Sequence, residues 1–319
     1  MKKMIFRTAL TVVLMMLSAL TYAGEPVKYL DGQGQEKYVT DYTVMTGEEE
    51  LLTSGWYVVE SGVHEVNHSI RFDGDVHIVL MDKSVLRMTS AQEEPLLSNT
   101  EVWGSNALSV YAQSDGLDMG MVENGGVSVS CFSVRGDLTI NGGYILWKPK
   151  ESAEEPCYDI AMTAARLTVN GGVIKTGGYI CGISVVDLVL NGGYLSVDAH
   201  EVAIAASGSV TFGHSGCELE CDCTNFLYYG DDDMVVDDFV SVQLGDQTYT
   251  DAIPYDITDD VTVTHIKSHY DAEKAMVVRG LEECRAEDDS WYSLEGVRLA
   301  GRPAEIGVYI HNNRKVIVK

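Results

Sequence analysis

Through the middle of the chain, apolar and polar residues alternate with a period of two, which is the pattern of β-strands that bury one face. Val, Ile, Leu and Thr are abundant there, and runs that could form an amphipathic helix of 12 residues are scarce. The alternating segments are short, and glycine-rich turns separate them. This pattern predicts an all-β chain with many short strands.

One phrase recurs within this region with few changes. Its copies are Asp137-Leu-Thr-Ile-Asn-Gly-Gly143, Arg166-Leu-Thr-Val-Asn-Gly-Gly172, Asp187-Leu-Val-Leu-Asn-Gly-Gly193 and, in weaker form, Ser209-Val-Thr-Phe-Gly-His-Ser215. The equivalent positions are Leu138, Leu167, Leu188 and Val210, in steps of 29, 21 and 22 residues, preceded by Leu108 and Ile78 in steps of 30. Three short alternating segments in such a step predict one turn of a three-sided solenoid. We therefore predict a right-handed, single-stranded parallel β-helix of about six coils.

The same alternation assigns side chains to the inside and to the corners of the predicted β-helix. The predicted inward residues are Leu138, Ile140, Ile145, Trp147, Ile160, Ile174, Thr176, Ile183, Leu195, Val197 and Ile204. The predicted corner residues are Asn141, Gly142, Gly143, Asn170, Gly171, Gly172, Asn191, Gly192 and Gly193. Glycine suits a corner because it adopts positive φ without a Cβ clash. The stacked asparagines would pass side-chain amide hydrogen bonds from one coil to the next.

Outward positions beside these corners form a row that could meet a ligand. The row contains Tyr144, Val173 and Tyr194, with Leu146, Lys175 and Ser196 two residues further along each strand. Neighbouring coils are about 4.8 Å apart, so the two tyrosines would lie about 10 Å apart, which matches the reach of a disaccharide. We predict Tyr144, Lys175 and Tyr194 as carbohydrate-binding residues. The alternative is that the tyrosines only cover the flank of the solenoid.

The two ends of the chain predict export and capping. Lys2, Lys3 and Arg7 precede an uncharged, largely apolar run, as in a signal peptide that is cleaved after Ala23. The predicted organisation is a signal peptide (1–23), an N-terminal cap (24–70), the β-helix (71–230), a C-terminal cap or linker (231–285) and a β-hairpin tail (286–319). No second apolar stretch is long enough for a membrane span, so we expect a secreted or cell-surface protein without a transmembrane segment.

The charge of the chain limits its partners. It has 22 Lys and Arg residues against 48 Asp and Glu residues, a net charge of −26, which becomes −29 when the three cations of the signal peptide are removed. Such a charge repels phosphate backbones and anionic lipids, which excludes nucleic acid and leaves divalent cations or neutral sugars. Acidic groups at 231–233, Asp237, Asp238, Asp259 and Asp260 could bind calcium, but they lack the fixed spacing of a calcium loop. No other cofactor is expected.

A cysteine-rich segment invites a zinc interpretation. His214, Cys217, Cys221 and Cys223 supply four potential ligands within ten residues. On a strand, however, the three cysteines share the inward face. Their spacing therefore places them in a line along the core and not around a tetrahedral metal ion. We therefore predict small buried cysteines, with one disulfide as an option, and no metal. The seven cysteines of the chain leave at least one unpaired.

Two short segments weakly resemble motifs of β-helical polygalacturonases: Gly213-His-Ser-Gly216 and His265-Ile-Lys267. Inverting hydrolysis needs two carboxyl groups about 6.5–9.5 Å apart, and no Asp pair precedes His214 on the coils. A lyase would need a cluster of bases, for which Arg135, Arg166 and Lys175 are too scattered. We predict no catalytic residues. A pectate-lyase-like or polygalacturonase-like enzyme remains the alternative.

Several segments resemble a known family. They are Gly55-Trp-Tyr-Val-Val59, Gly74-Asp-Val-His-Ile-Val-Leu80, Leu108-Ser-Val-Tyr-Ala-Gln-Ser114 and the Asn-Gly-Gly coils, which together cover residues 40–225. They resemble secreted β-helix proteins of Bacteroidetes and related gut bacteria that are often described as carbohydrate-binding-domain-containing proteins. The resemblance implies a β-helix and a glycan or polysaccharide partner.

The last thirty residues resemble the C-terminal sorting segment of the type 9 secretion system. The matching positions are Tyr292, Leu294, Gly296, Arg298, Gly307, Tyr309, Lys315 and Lys319. Asn312 and Asn313 replace the usual Asn-Gly turn, and residues 231–285 do not complete the β-sandwich of that family. The resemblance implies that the export machinery binds the tail; the alternative is that the tail completes the cap. We expect a non-catalytic exported protein that presents a flank for glycans, or else a purely structural or adhesive surface protein.

Overall fold

The computed structural model describes residues 22–89, 97–98, 106–124, 130–147, 160–178, 180–213, 216–223, 226–229, 232–254, 263–271, 291–292, 299, 307–311 and 314–318. Within these residues the regular structure consists of β-strands without a helix, which confirms the predicted all-β class. The chain divides into two compact units, Met1–Tyr270 and Asp271–Lys319.

The described residues form twenty-eight strands. The first fourteen are β1 (Tyr22–Leu30), β2 (Glu36–Met45), β3 (Leu51–Val59), β4 (Gly62–Val66), β5 (Ile70–Leu80), β6 (Ser84–Met88), β7 (Leu97–Ser98), β8 (Ala107–Ala112), β9 (Met121–Asn124), β10 (Phe132–Ser133), β11 (Asp137–Ile140), β12 (Tyr144–Trp147), β13 (Ile160–Val169) and β14 (Val173–Gly178). The others are β15 (Cys181–Leu190), β16 (Tyr194–Ala199), β17 (Val202–Ala206), β18 (Val210–Phe212), β19 (Glu218–Cys223), β20 (Phe226–Tyr229), β21 (Met234–Val236), β22 (Val240–Leu244), β23 (Gln247–Tyr249), β24 (Ala252–Ile253), β25 (Val263–Tyr270), β26 (Trp291–Tyr292), β27 (Gly307–His311) and β28 (Arg314–Val318).

The first unit contains two large sheets, and the chain passes repeatedly from one to the other. The larger sheet has 15 strands, with the main order β1-β2-β3-β5-β7-β10-β13-β15-β18-β21-β24 and with β8, β11, β17 and β20 paired alongside. The smaller sheet has 10 strands in the order β23-β22-β25-β19-β16-β14-β12-β9-β6-β4. Neighbouring strands in the middle of both sheets are parallel.

Antiparallel strands occur at both ends of the larger sheet and at one end of the smaller sheet. Strand β1 pairs antiparallel with β2 at one end of the larger sheet, and β24 pairs antiparallel with β21 at the other. In the smaller sheet, β25 lies antiparallel to both β19 and β22. The antiparallel strands β22 to β25 thus follow the parallel region, within the range 231–285 that was predicted as a cap. At the other end, β3 and β4 already pair in parallel with β5 and β6, within the range 24–70.

Long strands of the larger sheet pair through two separate segments. The first part of β13 pairs with β10 and its last part pairs with β11. Likewise, the first part of β15 pairs with β17 and its last part with β18. One repeat therefore contributes two strand segments to the larger sheet and one to the smaller sheet, as in the three segments read from the sequence.

The repeat is aligned in the larger sheet largely as the sequence predicts. Leu138 pairs with Leu167, Leu167 with Leu188 and Leu188 with Val210, each in parallel register. Leu108 pairs with Leu138 as expected. These five side chains are buried.

One step differs from the predicted alignment by two residues. Leu108 pairs with Val76 and not with Ile78, so that step is 108 − 76 = 32 residues. On the segment predicted to line the third side, Met162 pairs with Ile183, and Ile160 at the start of β13 is half-buried. A shift of two residues keeps the same side chains inside, so the alternation identifies the inward face but not the register.

The core lies on the faces that the alternation assigned to the interior. Ile145, Trp147, Ile174, Leu195 and Val197 are buried as predicted, with Trp147 fully enclosed. Most buried apolar residues of the two sheets join one large cluster that runs from Met45 to Ile266. Burial of apolar surface is the main driving force for folding. Because each repeat contacts only its neighbours, this surface is buried between successive repeats.

The corners explain the recurring Asn-Gly-Gly. Gly143, Gly172 and Gly193 have φ angles of 96°, 85° and 81°, which favour glycine. They also stack closely, because a Cβ atom on Gly172 would lie 2.6 Å from the carbonyl oxygen of Gly143. Asn170 Nδ2 donates a 2.8 Å hydrogen bond to Asn141 Oδ1, so the amide ladder expected from the sequence is present.

The β1–β2 hairpin lies against the outer face of the larger sheet. Val58 and Val79 face away from the main core and form a small second cluster with Val27, Val39 and Tyr42 of the hairpin. The turn of the hairpin approaches the corner ladder, because a Cβ atom on Gly32 would lie 2.7 Å from Asn170 Nδ2. The predicted cleavage after Ala23 would leave Val27–Leu30 paired with Glu36–Val39.

Candidate functional site

The predicted row of outward residues exists on the smaller sheet. Tyr144 pairs with Val173 and Val173 pairs with Tyr194 in parallel register. All three side chains are half-buried, whereas their chain neighbours Ile145 and Leu195 are buried in the core. The three residues therefore lie on the outer face of the sheet, and the two tyrosines are two strands apart.

The row is longer than the sequence indicated. Met121 pairs with Tyr144, Val85 with Met121 and Val63 with Val85, so apolar side chains occupy the same position on six successive strands. We call this set the apolar row; its members are Val63, Val85, Met121, Tyr144, Val173 and Tyr194. Val63 is 53% exposed and the others are half-buried. Lone exposed apolar residues are ordinary on protein surfaces, but an aligned set of six points to an interaction surface.

A second row runs beside the apolar row, two residues further along each strand. It contains Glu65, Arg87, Glu123, Leu146, Lys175, Ser196 and Glu220. Arg87 Nε forms a salt bridge with Glu123 Oε1. The predicted binding residue Lys175 lies in this row and pairs with Ser196. Hydrogen-bonding groups thus flank the apolar row along much of its length.

Tyr194 is the most firmly positioned aromatic residue of the row. Its hydroxyl donates a hydrogen bond to Glu220 Oε2, one strand further along the sheet. The ammonium group of Lys175 lies 6.0 Å from the centroid of the Tyr194 ring, at the outer limit of a cation–π contact. Two members of the second row, Glu220 and Lys175, therefore contact the side chain of Tyr194.

The hydrogen bond to Glu220 also fixes the protonation of Tyr194. It raises the pKa of the phenol, with burial as a smaller cause in the same direction, so the hydroxyl stays protonated at neutral pH. Next to it, Glu218 pairs with Tyr194 in the sheet, and its carboxylate lies 3.8 Å from Lys267 Nζ. Sequence reasoning missed Glu218 and Glu220 because their coil lacks the Asn-Gly-Gly corner that marks the register, and it named Lys267 only within the polygalacturonase-like segment.

The cysteine-rich segment belongs to the core. Cys217, Leu219 and Cys221 are buried on the same face, as the alternation predicts. The backbone nitrogen of Cys217 donates a 2.6 Å hydrogen bond to Ser268 Oγ, and burial raises the pKa of the Cys217 thiol to about 11. His214 and the side chain of Cys223 lie outside the described residues. Of the four potential zinc ligands, only the side chains of Cys217 and Cys221 are therefore described.

The acidic segment that could bind calcium is described only in part. Asp232, Asp233, Asp237 and Asp238 are described, whereas Asp231, Asp259 and Asp260 lie outside the described residues. In the described part of the chain, no three His, Cys, Asp or Glu side chains are grouped in a way that could hold a metal ion. Calcium binding stays a prediction.

The sorting-like tail forms a small antiparallel sheet in the second unit. Strand β26 pairs with β27, and β27 pairs with β28. Four of the matching positions lie on these strands: Tyr292, Gly307, Tyr309 and Lys315. The other four, Leu294, Gly296, Arg298 and Lys319, lie outside the described residues. The predicted β-hairpin thus has a short third strand, β26, paired beside it.

An aromatic cluster on the larger sheet was not predicted. Tyr29 of β1 lies 4.9 Å from both Trp56 and Tyr111, measured between ring centroids. Trp56 is also stacked on His77 at 4.5 Å. The cluster attaches the β1–β2 hairpin to the outer face of the sheet. The repeat pattern gave no signal for it, because the hairpin lies outside the repeats.

Comparison of the chain with protein-family models, with curated proteins and with solved structures gives no match. In the described part of the chain, no helix has the length and apolar character that a membrane span requires. The function is therefore argued from the site itself.

Proposed function

We propose that this chain is an exported, non-catalytic protein that binds glycan along the apolar row of a right-handed parallel β-helix of about six coils. The winding is supported by the parallel register of Leu138, Leu167 and Leu188 and by the regular passage of the chain between two sheets. Right-handed winding follows from the strong preference of parallel crossovers for that hand. The family of secreted carbohydrate-binding β-helix proteins is proposed on the sequence resemblance.

The observation that carries the binding proposal is the arrangement around Tyr194. Its ring is held by Glu220 and Lys175 on the outer face of the smaller sheet, in line with Tyr144. Aromatic rings that are fixed before binding lose little conformational freedom when a ligand packs on them. Flanking carboxylate, ammonium and hydroxyl groups can bond to sugar hydroxyls. The site therefore combines apolar surface with hydrogen-bonding groups, as sugar binding requires.

Cleavage of the glycan is the less favoured alternative. A tyrosine that abstracts a proton must first lose its own, and the hydrogen bond from Tyr194 to Glu220 raises the pKa of the phenol instead of lowering it. Glu218 is engaged in a salt bridge with Lys267, whose Nζ atom lies 3.8 Å from its carboxylate. These groups suit binding better than acid–base chemistry. A purely structural or adhesive surface protein is the other alternative.

The experiment is a glycan array on the full chain without its signal peptide, with and without calcium. Binding by the wild type that is lost in a Tyr144→Ala, Tyr194→Ala double variant supports the proposal. Tyr38→Ala is the matched control, because Tyr38 is a 62% exposed tyrosine on the β1–β2 hairpin, away from the row. Equal binding by the wild type and the double variant would show that the apolar row is not the glycan-binding site. Newly formed reducing ends in the bound glycan would favour the enzyme alternative.

Export through a type 9 pore is proposed on the sequence of the tail and on its separation as a unit of its own, Asp271–Lys319. In a bacterium that has this secretion system, a stop codon in place of Trp291 should leave the protein in the periplasm. The double variant of Tyr144 and Tyr194 keeps its tail and should still reach the surface. An unchanged surface fraction after truncation would refute the sorting role and favour a tail that completes the cap.

A further inference from the structure

The shape of the apolar row limits the ligand that can cover it. The row crosses six parallel strands at the same position, and five steps of about 4.8 Å give a length of about 24 Å. It runs across the strands and not along them. A compact ligand would cover one or two members, whereas an extended polymer that lies across the strands would contact the whole row.

The distance between the two tyrosines of the row limits the ligand further. Tyr144 and Tyr194 are two strands apart, which is about 10 Å, with the smaller Val173 between them. In an extended chain of β-1,4-linked pyranoses, alternate rings turn over, so the same ring face returns every second sugar. Two sugar units of such a chain span about the distance between the two tyrosines. The row therefore suits a straight chain that places every second sugar on an aromatic ring.

The charges beside the row are balanced. The charged residues of the second row and of the adjoining end of the sheet are Glu65, Arg87, Glu123, Lys175, Glu218, Glu220 and Lys267, four acids against three bases. Arg87 is paired with Glu123, and Lys267 with Glu218. Among these described residues the bases do not outnumber the acids, and the net charge of the chain is −26. A polyanionic glycan would be repelled.

We propose that the ligand of the apolar row is a linear, uncharged polysaccharide of the β-1,4-linked type, which lies across the strands from Tyr194 toward Val63. This inference rests on the proposed glycan-binding function and specifies its ligand. The aromatic contacts at Tyr144 and Tyr194 supply much of the affinity, and the groups of the second row bond to hydroxyls at the edge of the polymer.

The test compares soluble polysaccharides by affinity electrophoresis and calorimetry with the full chain without its signal peptide. The panel contains linear neutral polymers (glucomannan and hydroxyethylcellulose), a linear polyanion (polygalacturonate) and a branched neutral polymer (dextran with dense branching). Neutral oligosaccharides of two to six units measure the length dependence. We expect binding to the linear neutral polymers, affinity that rises with oligosaccharide length to about five units, which is the 24 Å length of the row, and little dependence on salt.

Single variants locate the ligand on the row. Tyr144→Ala and Tyr194→Ala should each weaken binding about tenfold, which corresponds to about 1.4 kcal/mol. Tyr38→Ala should leave it unchanged. Salt-sensitive binding of polygalacturonate, or preference for the branched polymer, through the same tyrosines would overturn this inference and leave the glycan-binding function in place. Binding that ignores both tyrosine variants, or no binding to any glycan, would overturn the function as well.

Discussion

Asn191 Nδ2 donates a 2.7 Å hydrogen bond to Asn170 Oδ1, and Asn170 in turn donates one to Asn141. The three side chains stand at equivalent corners of successive repeats, so each bond joins one repeat to the next. Asn170 is the middle member and takes part in both bonds, whereas Asn191 takes part in only one of them. Asn170 should therefore contribute more to the stability of the fold than Asn191.

The first prediction uses this inequality. Asn170→Ala removes two side-chain hydrogen bonds between repeats and should lower the free energy of unfolding by about 1–3 kcal/mol. Asn191→Ala removes one bond and should cost about half as much. Urea unfolding followed by circular dichroism measures both. Equal losses of unfolding free energy in the two variants would contradict the prediction that each hydrogen bond of the ladder adds separately to stability.

The second prediction concerns the glycine that follows the asparagine. Gly172 has a φ of 85°, and a Cβ atom there would lie 2.6 Å from the carbonyl oxygen of Gly143. Gly34 is the matched control, because its φ is 70° but nothing lies within 4 Å of an added Cβ. Gly34→Ala should cost about 1–2 kcal/mol for the conformation alone. Gly172→Ala should cost about 1–3 kcal/mol more, because backbone atoms of the neighbouring repeat must move.

The third prediction concerns the buried thiols. Cys131, Cys181 and Cys217 are free and buried, and burial raises the pKa of Cys181 to about 11, as it does for Cys217. Because the thiolate is the reactive form, these three cysteines should resist iodoacetamide at pH 8 in the folded protein and react in guanidinium chloride. Mass spectrometry of the labelled peptides distinguishes the sites. Rapid labelling of Cys217 in the folded protein, or stoichiometric zinc that a chelator removes, would contradict this placement.

The sequence sufficed to predict the strand class, the inward faces and the corners, because each depends on local chemistry. Period-two alternation placed Ile145 and Trp147 inside, and the Asn-Gly-Gly phrase marked the corners where Gly172 and Gly193 need positive φ. The register upstream was wrong by two residues at Ile78. That error has a physical reason: a shift of two keeps every side chain on its face, so the apolar pattern cannot detect it.

The candidate site was predicted in part. The row of Tyr144, Val173 and Tyr194 follows from the repeat, because all three occupy the position after the corner. Its continuation to Met121 and Val85 was missed, since the upstream repeats lack the Asn-Gly-Gly phrase. Contacts such as the bond from Tyr194 to Glu220 depend on which strands are neighbours and on side-chain conformation, which alternation does not encode.

The fourth prediction concerns a buried hydroxyl. Thr176 lies in the core between the sheets, and its Oγ1 atom is buried without a hydrogen-bond partner. Valine has nearly the same shape, so Thr176→Val removes the cost of the unpaired hydroxyl and should raise the free energy of unfolding by about 1 kcal/mol. Thr168→Val, at a half-buried outward position of β13, is the control and should change stability by less than about 0.5 kcal/mol. A destabilised Thr176→Val variant would show that the hydroxyl has a partner.

The last prediction concerns the pH dependence of stability at the aromatic cluster. His77 is stacked on Trp56 at 4.5 Å, and its Nδ1 atom is buried without a hydrogen-bond partner. Burial lowers the pKa of His77, although Asp75 opposes the shift. In the unfolded chain the pKa of histidine is about 6.5, so between the folded value and 6.5 the unfolded state binds more protons. The contribution of His77 is therefore fully present above about pH 6.5 and is lost as the pH falls toward the folded pKa.

The variant His77→Phe isolates this effect, because it keeps a ring against Trp56 and removes the titrating group. The free energy of unfolding is measured by urea denaturation at intervals from pH 5 to pH 8 for both proteins. We expect the wild type to lose stability relative to His77→Phe as the pH falls below about 6.5, and the difference to be constant above that value. Because Tyr29 of the hairpin packs on Trp56, the same acid shift should loosen β1, which amide hydrogen exchange of Val27–Leu30 would detect. A difference between the two proteins that does not change with pH would show that the ring of His77 binds a proton equally well in the folded and unfolded chain.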